Sequence, residues 1–398
     1  MKIVCKRNDC FGCSACMNAC PKHCIAMQLD EEGFFVPRID ECQCIDCGLC
    51  QRICQLAHKP VFNPVPDHAL AAWSQDPRIR RSSSSGGVFK TLAGLVLRRG
   101  GVVNIVEFDK DMYLRHRIAE RMPDLDAVRG SKYVQSLPGA IFSDIRDRLE
   151  GGQAVLFTST PCQVAGLLAF LRKDYANLLT CDFVCHGVPS PDEFSKDVER
   201  KTKDAGCGRP QDCLFRDLEH WGFKSYIEGE RAGVAFDYRT DAYYQRFLSG
   251  TNYRETCYQC GFAQMRRVSD ITIGDFWGIG KYSLTTSRFA GGCSLVLVNS
   301  MKGRELMRLC SANLHAENYP LSACRDNEQL FHSSARPVER DRAFQDVGLV
   351  IERRNDVQLH PVVVRIAHRV MRVLFVYAWR LIWWRCVRVF RTKKGEER

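Results

Sequence analysis

CFGCSACMNACP at residues 10–21 and CIDCGLCQRIC at residues 44–54 repeat the same cysteine spacing. In each stretch three cysteines are separated by two residues, and a fourth follows after three more. Thiolates at this spacing surround the irons of a 4Fe-4S cube, whereas zinc sites usually use paired Cys-x-x-Cys arms. The sequence therefore predicts two 4Fe-4S clusters, with two zinc sites as the alternative.

The spacing also predicts which cysteines share a cluster. In the bacterial ferredoxin arrangement, the fourth cysteine of each run reaches over to the other cluster. The expected ligand sets are Cys10, Cys13, Cys16 and Cys54 for one cluster, and Cys44, Cys47, Cys50 and Cys20 for the other. Gln55 stands where a second Cys-Pro would be usual, which alters the local turn but removes no ligand. We interpret the remaining thiols here as buried and without a cluster role, namely Cys5, Cys24 and Cys42.

Composition limits the class of protein. The 398 residues are 45% hydrophobic and 26% charged, so the chain can bury a substantial core. Its 22 cysteines cluster at metal-ligand spacings, and no apolar signal segment precedes them, which favours a reduced cytosolic protein over an exported one. Most of the net charge of +11 lies from Glu352 onward, without a nucleic-acid-binding motif, so nucleic acid is not an expected partner.

Four regions differ in pattern. Residues 1–58 hold the cysteine runs, residues 59–70 form a proline-rich linker, residues 71–350 a larger domain and residues 351–398 a basic, apolar tail. In the larger domain, strand-like runs alternate with helical patterns; the former lie at 102–106, 154–157 and 178–184, the latter at 88–98, 138–149 and 164–172. This predicts an α+β ferredoxin-like 2x4Fe-4S module followed by a larger α/β domain.

Six motifs of the larger domain resemble one family. They are RSSSSGGVF (81–89), RGSKYVQS (129–136), TPCQ (160–163), VCHGV (184–188), CYQC (257–260) and DITIGDFW (270–277). In this order they look like the beta subunit of coenzyme F420 hydrogenase/dehydrogenase, over about residues 10–330. The resemblance implies bound FAD, at least one 4Fe-4S cluster and flavin-dependent reductase activity. Relatives include deazaflavin-reducing subunits of methanogens, a ferredoxin-fed chlorophyll-cycle reductase of plants and bacterial proteins encoded beside polysaccharide biosynthesis genes.

The resemblance implies that two of these motifs help to form a flavin site. The serine- and glycine-rich segment precedes an apolar-periodic helix, whose N–H groups could hold a pyrophosphate, although alone it reads as an ordinary serine N-cap. The second motif offers two cations, a hydroxyl and an aromatic face, with solvated surface charge as the alternative. The candidate flavin-binding residues are Ser84, Ser85, Gly86, Gly87, Arg129, Ser131, Lys132, Tyr133, Gln135 and Thr160.

Four further cysteines are candidate ligands of a third 4Fe-4S cluster, namely Cys162, Cys185, Cys257 and Cys260. Buried structural thiols are the alternative for the first two, and a redox pair or half a zinc site for the last two. Cys181 would replace Cys185 if the latter is not used. His186 is the candidate catalytic proton donor or a hydrogen-bonded structural histidine. A substrate-side role and strand capping both remain open for Asp270, Asp275 and Trp277.

The tail places arginines largely on one helical face, and its apolar stretch is too short and too interrupted to span a membrane. It fits a carboxy-terminal amphipathic helix lying on anionic lipid, at the inner face of the membrane, or a helix packed on the domain or on a partner subunit.

Together the residues and the resemblance predict an iron–sulfur flavoprotein oxidoreductase. Electrons from a ferredoxin or another low-potential donor would pass through the clusters to FAD and on to an organic substrate, in polysaccharide biosynthesis if the bacterial relatives are a guide. No nicotinamide-binding motif follows a strand. The alternatives are a non-catalytic electron-transfer subunit of a larger redox complex and a coenzyme F420 reductase.

Overall fold

The computed structural model describes residues 2–126, 128, 130–217, 222–282 and 289–345, so the predicted tail helix and Arg129 lie outside the described residues. Within these residues the strands, in chain order, are β1 (Ile25–Leu29), β2 (Phe35–Ile39), β3 (Ala69–Ser74), β4 (Val102–Phe108), β5 (Leu114–Ala119), β6 (Ser136–Leu137), β7 (Val155–Ser159), β8 (Leu178–Phe183), β9 (Pro210–Asp217), β10 (Gly222–Gly229), β11 (Gly233–Phe236), β12 (Ile271–Asp275), β13 (Ser294–Val298) and β14 (Leu314–Tyr319). The helices are α1 (Ala15–Ala19), α2 (Leu49–Arg52), α3 (Pro77–Arg81), α4 (Val88–Arg98), α5 (Ile141–Glu150), α6 (Pro161–Leu171), α7 (Pro191–Asp204), α8 (Ala242–Ser249) and α9 (Met301–Cys310). No helix in these ranges is long and apolar enough to cross a membrane.

A nine-stranded mixed sheet organises the larger domain, in the order β14-β3-β13-β12-β8-β7-β4-β5-β6. Its four central strands, β12, β8, β7 and β4, run parallel to one another. Strands β13, β3 and β14 on one flank and β5 on the other pair antiparallel. Because parallel strands end at the same edge, the segments that follow β7, β8 and β12 meet at one carboxyl edge, where open α/β sheets usually bind ligands.

Helices cover both faces of this sheet. Helix α4 begins and ends where the 3.6-residue periodicity predicts, and its apolar stripe packs with α9 on one face. On the other face α6 buries most of its residues on all sides, because the sheet lies against one side and the cysteine-rich module against the other. The predicted strands at 102–106, 154–157 and 178–184 correspond to β4, β7 and β8, and the predicted helix at 138–149 begins later, as α5.

The cysteine-rich module consists of the β1–β2 hairpin with the short helices α1 and α2. It belongs to the same compact unit as the larger domain, which extends to Phe344. Ala15 and Ile53 of the module share an apolar core with α5 and α6. The chain between the two parts follows the domain surface, where the backbone N–H of Asn63 donates to the carbonyl of Arg267 at 2.8 Å. Strand β3 begins at Ala69, inside the predicted linker.

A second, three-stranded antiparallel sheet is formed by β9, β10 and β11. It packs with α7 and α8 around an aromatic core that includes Phe194, Phe215 and Tyr244. The alternation pattern of the sequence did not predict this sheet.

Candidate iron–sulfur and flavin site

The two amino-terminal cysteine runs fold into the same local backbone. Gly12 and Asp46 precede the second cysteine of their runs with φ of +66° and +56°. Ser14 and Gly48 follow that cysteine with φ of +62° and +66°. Positive φ is uncommon outside glycine, and it persists where the surrounding structure enforces it. The sequence repeat is therefore also a structural repeat, and each run curls around its own cysteines.

The first cysteine group is Cys10, Cys13, Cys16 and Cys54, one of the two sets that the ferredoxin spacing predicts. Burial raises the pKa of Cys16 well above its usual value, and the nearby thiols of the other three raise it further. Cys5 lies beside this group, where hydrogen bonds to Cys10 and Cys54 raise its pKa. The fourth cysteine of the second run is thus held with the first run, which suits a cube that takes each thiolate on a different iron.

The second cysteine group is Cys20, Cys44, Cys47 and Cys50. Burial raises the pKa of Cys50, and Cys47 and Cys20 contribute to the same rise. Cys24 packs against this group, with its Sγ 3.4 Å from that of Cys20. Cys47 is exposed, so this group lies at the protein surface. Cys42 is exposed as well, rather than buried as its leftover position suggested.

The third cysteine group, Cys162, Cys185, Cys257 and Cys260, converges at the carboxyl edge of the large sheet. Cys162 lies in the first turn of α6 after β7, and Cys185 follows β8, the parallel neighbour of β7. The other two lie at a 3-10 turn, Glu255–Gln259, that folds over this edge. All four line one cavity together with His186 and Arg267. Cys181 packs instead in the sheet core on the α4 side.

Burial makes the third cysteine group costly to ionise without a bound cation. It raises the pKa of Cys162 well above its usual value, and the charges of Cys260, Cys185 and Cys257 act in the same direction. Burial likewise raises the pKa of Cys185 to about 12. Metal coordination deprotonates such thiols outright. Among the described residues, no three metal-binding side chains lie close enough to hold a single ion.

Arg267 holds the loop that carries Cys260 against β8. The guanidinium donates to Asp182 Oδ1 at 3.1 Å, and both side chains are almost fully buried. It also donates to the carbonyls of Phe262, at 2.8 Å, and Phe183, at 3.0 Å. Burial raises the pKa of Asp182, and the Arg267 charge opposes that rise. A buried ion pair therefore fixes the geometry of the third cysteine group.

The two motifs that the resemblance assigned to flavin binding meet in the structure. Ser84 Oγ accepts hydrogen bonds from the backbone N–H of Ser131, at 2.7 Å, and from its hydroxyl, at 3.2 Å. Gly87 enters α4 with φ of +81°, and no side chain caps the helix. The hydroxyls and free first-turn N–H groups of α4 suit a phosphate. The backbone N–H of Gly86 donates to Ser294 Oγ, which places this loop at the end of β13 next to the carboxyl end of β12.

Other candidate flavin residues have different surroundings. Tyr133 is stacked on Phe247, with ring centroids 4.3 Å apart, inside the aromatic core. Gln135 accepts a hydrogen bond from the Phe35 N–H at 3.0 Å and so contacts the cysteine-rich module. The Nζ of Lys132 lies 3.9 Å from Oδ1 of Asp212.

Thr160, another candidate flavin residue, lies beside the third cysteine group. Its Oγ1 lies 3.3 Å from Cys162 Sγ and donates to Gln163 Oε1 at 3.1 Å. A hydroxyl at this distance can hydrogen-bond a cysteine ligand.

The candidate proton donor His186 lines the same cavity, and the residue is exposed, which places it at the rim. Surrounding protein desolvates the imidazole and lowers its pKa, while the charges of Asp275 and Glu328 oppose this shift. Asp275 ends β12 at the same edge. Asp270 precedes β12, and its Oδ2 accepts from the N–H and hydroxyl of Thr180, which supports the strand-capping interpretation for this residue.

Sequence patterns missed a buried cation, Arg216, beside this edge. Its side chain donates to Asp275 Oδ2 at 2.5 Å and to the Tyr133 hydroxyl at 3.2 Å. It also lies over the rings of Phe223 and Trp277, at 5.0 and 5.4 Å from their centroids. An isolated arginine in a strand carries no local signal for such a role, since Asp275 and Tyr133, the partners of its guanidinium at this edge, come from distant segments.

Comparisons with known proteins agree with this architecture. Residues 9–57 match the model of a 4Fe-4S dicluster domain. Two further models describe the amino-terminal and carboxy-terminal parts of the family "Coenzyme F420 hydrogenase/dehydrogenase, beta subunit". The first of these matches residues 69–140, and the second matches residues 152–322. Together these two matches span more than half of the chain.

Among solved structures, the chain is similar to one from a xenon derivative of the F420-reducing NiFe hydrogenase complex of Methanosarcina barkeri. The two are 17% identical with a TM-score of 0.45, over 67% of this chain and 91% of that one. Curated proteins contain no significant match. By its matched models, this chain belongs to the coenzyme F420 hydrogenase/dehydrogenase beta subunit family and carries a 4Fe-4S dicluster domain in residues 9–57.

Proposed function

We propose that this chain is an iron–sulfur flavoprotein oxidoreductase. It takes single electrons from a ferredoxin-type, low-potential donor and delivers them through three 4Fe-4S clusters to FAD, which reduces an organic substrate. The observation that carries this proposal is the position of the third cysteine group. It lies at the carboxyl edge of the sheet, between the amino-terminal module and the serine-rich loop before α4.

The layout of the sheet edge supports transfer from the third cysteine group to a flavin. Cys185 follows β8, and the serine-rich loop is bonded to β13, two strands further along the same edge. Neighbouring strands are about 4.8 Å apart, so the two positions are separated by roughly 10 Å across the sheet. A flavin held there would lie near the cysteines that feed it.

The chain offers specific contacts to FAD. The uncapped N-terminus of α4 and the hydroxyls of Ser84 and Ser131 would bind its pyrophosphate. When bound, FAD links one-electron transfer to two-electron chemistry. The imidazole of His186, at the cavity rim, would supply a proton to the reduced substrate.

Two other functions keep specific support. The matched family models describe a beta subunit, which favours a role as the electron-transfer subunit of a larger redox complex. The same description favours coenzyme F420 as the substrate. Activity of the purified chain with an artificial donor would separate an enzyme from a subunit without its own substrate site, and turnover of the deazaflavin would identify F420 as the substrate.

Cofactor content tests the proposal directly. We expect about twelve irons and one FAD in each anaerobically purified chain, because three cubes carry four irons each. Iron, sulfide, zinc and flavin analysis with a visible spectrum measures this. Eight irons with FAD would eliminate the third cluster, and iron without flavin after reconstitution with FAD would eliminate the reductase in favour of an electron-transfer subunit. Zinc in place of iron would overturn the whole scheme.

A further inference from the structure

We infer that Gln55 and Arg254 form an electron-transfer junction that joins the first cysteine group to the third. In this arrangement the second cysteine group is the outer cluster that meets the donor, and the first is the inner cluster. The inference rests on the proposed third cluster. It assigns a positioning role to two residues outside the ligand sets.

Gln55 is the residue where the ferredoxin pattern usually has proline, and it bridges the two groups. Its side chain is 5% exposed, and its Nε2 donates to the carbonyl of Cys162 at 3.1 Å. Gln55 directly follows Cys54 of the first group. It therefore ties a ligand residue of the first group to a ligand residue of the third. Proline has no side-chain amide to make the contact to Cys162.

Gly166 permits the close approach that this bridge needs. A Cβ at this position would lie 2.7 Å from Cys13 Cβ and 2.9 Å from its Sγ. Gly166 is one helical turn beyond Cys162 on α6, or about 6 Å along the axis. The first cysteine group thus rests directly on the helix whose first turn presents a ligand of the third group.

Arg254 places a buried positive charge between the same two groups. It is 3% exposed, and its Nε donates to the carbonyl of Cys10 at 2.5 Å, while its Nη1 donates to that of Phe35 at 3.1 Å. Its own carbonyl accepts from the backbone N–H of Cys257 at 2.9 Å. The side chain thus reaches the first group while the backbone holds the third. A fixed positive charge there stabilises the reduced form of either cluster.

The two amino-terminal cysteine groups differ in solvent exposure. Cys47 of the second group is exposed, and the apolar side chain of Ile45 beside it is 56% exposed. In the first group, by contrast, no cysteine is exposed: Cys10 and Cys16 are buried, and Cys13 and Cys54 are half-buried. A surface cluster can meet an external donor, whereas a buried one can exchange electrons only within the chain. Each transfer at the junction moves one electron from the reduced first cluster to the oxidised third cluster, and no bond or proton changes.

The test compares two variants that each remove an amide side chain by which the module contacts the larger domain. Gln55→Met removes the donor to Cys162. The control Asn18→Leu removes the donor to the Gly139 carbonyl, at 2.7 Å, and the acceptor of the Ser143 N–H, at 3.3 Å. EPR-monitored redox titration of the anaerobically purified full chain gives the partition of one electron between the first and third clusters.

We expect Gln55→Met to shift this partition about tenfold toward the first cluster, which is about 59 mV for one electron, because the Cys162 carbonyl loses the amide donor whose dipole stabilises the reduced third cluster. Asn18→Leu should change it by about twofold or less. If Gln55→Met fails to retain its clusters, Gln55→Asn provides the same test, since its amide is one methylene short of the Cys162 carbonyl.

Iron content and the EPR titration test the junction and the third cluster separately. A wild-type chain with eight irons overturns the third cluster, and the junction with it. Twelve irons together with an unchanged partition in the Gln55 variants, or with an equal shift in Asn18→Leu, overturns the junction alone and leaves the third cluster in place. An equal shift in the potential of the second cluster also contradicts the assigned order.

Discussion

Replacing Cys257 by alanine is expected to remove about four irons from the purified chain and to leave the two amino-terminal clusters intact. Alanine offers no ligand atom, unlike serine, whose oxygen can still bind iron. Cys257 lies beside Cys185 and Cys260, and none of the amino-terminal thiols shares their cavity. Donor-driven turnover should fall to background, because the proposed path from the module to the flavin would be interrupted.

Iron analysis and EPR of the same sample check this result, and Cys181→Ala is the matched control. Cys181 is also a buried thiol of the larger domain, but it packs in the sheet core. That variant should keep all twelve irons and the donor-driven rate. Direct chemical reduction of the flavin should restore turnover in Cys257→Ala, since it bypasses the clusters. Twelve irons in Cys257→Ala, or equal iron loss in both variants, would contradict a cluster on these four cysteines.

Local sequence patterns were sufficient for the parts of this molecule that local chemistry determines. The cysteine spacing predicted that each run curls around its own cysteines, because backbone geometry over a few residues decides this curl; the two ligand sets stay a prediction. The boundaries of α4 followed from its periodicity and from the glycines on either side. Cys162 and Cys185 could be expected to meet because each follows a strand of the parallel core, and carboxyl ends of parallel strands share an edge.

Contacts between distant segments were not predictable in this way. Gln135 and Tyr133 lie inside a motif that the family resemblance assigned to flavin, a role that stays a prediction. Their observed contacts are with the cysteine-rich module and with the aromatic core, respectively. The contacts of Arg216 with Asp275, of Arg254 with Cys10 and of Arg267 with Asp182 join segments that are far apart in sequence. One usable signal existed, since an apolar helix such as α6 with no polar face implies that a second layer covers it.

The Arg267→Met variant is expected to lower the free energy of unfolding by about 3–5 kcal/mol, because it leaves a buried carboxylate without its partner. Asp182 is 0% exposed, and its Oδ2 already lacks a hydrogen-bond partner. Burial raises the pKa of this carboxyl, and loss of the opposing Arg267 charge would raise it further. A raised acid pKa makes the folded state less stable as pH rises above the ordinary carboxyl pKa, so the loss should be larger at about pH 7 than at about pH 5.

Urea unfolding of the anaerobically purified chain at both pH values measures the loss, with Arg308→Met as the matched control. Arg308 pairs with Glu305 at 2.6 Å on the exposed face of α9, where an ion pair contributes about 0–1 kcal/mol. The double variant Asp182→Asn/Arg267→Met should recover about 1–3 kcal/mol, because the stranded charge is gone. If the double variant recovers no stability, the loss in the free energy of unfolding comes instead from the missing hydrogen bonds to the carbonyls of Phe183, Phe262 and Gln264. The arginine would then serve the cysteine site mainly by holding the loop after Cys260 in place.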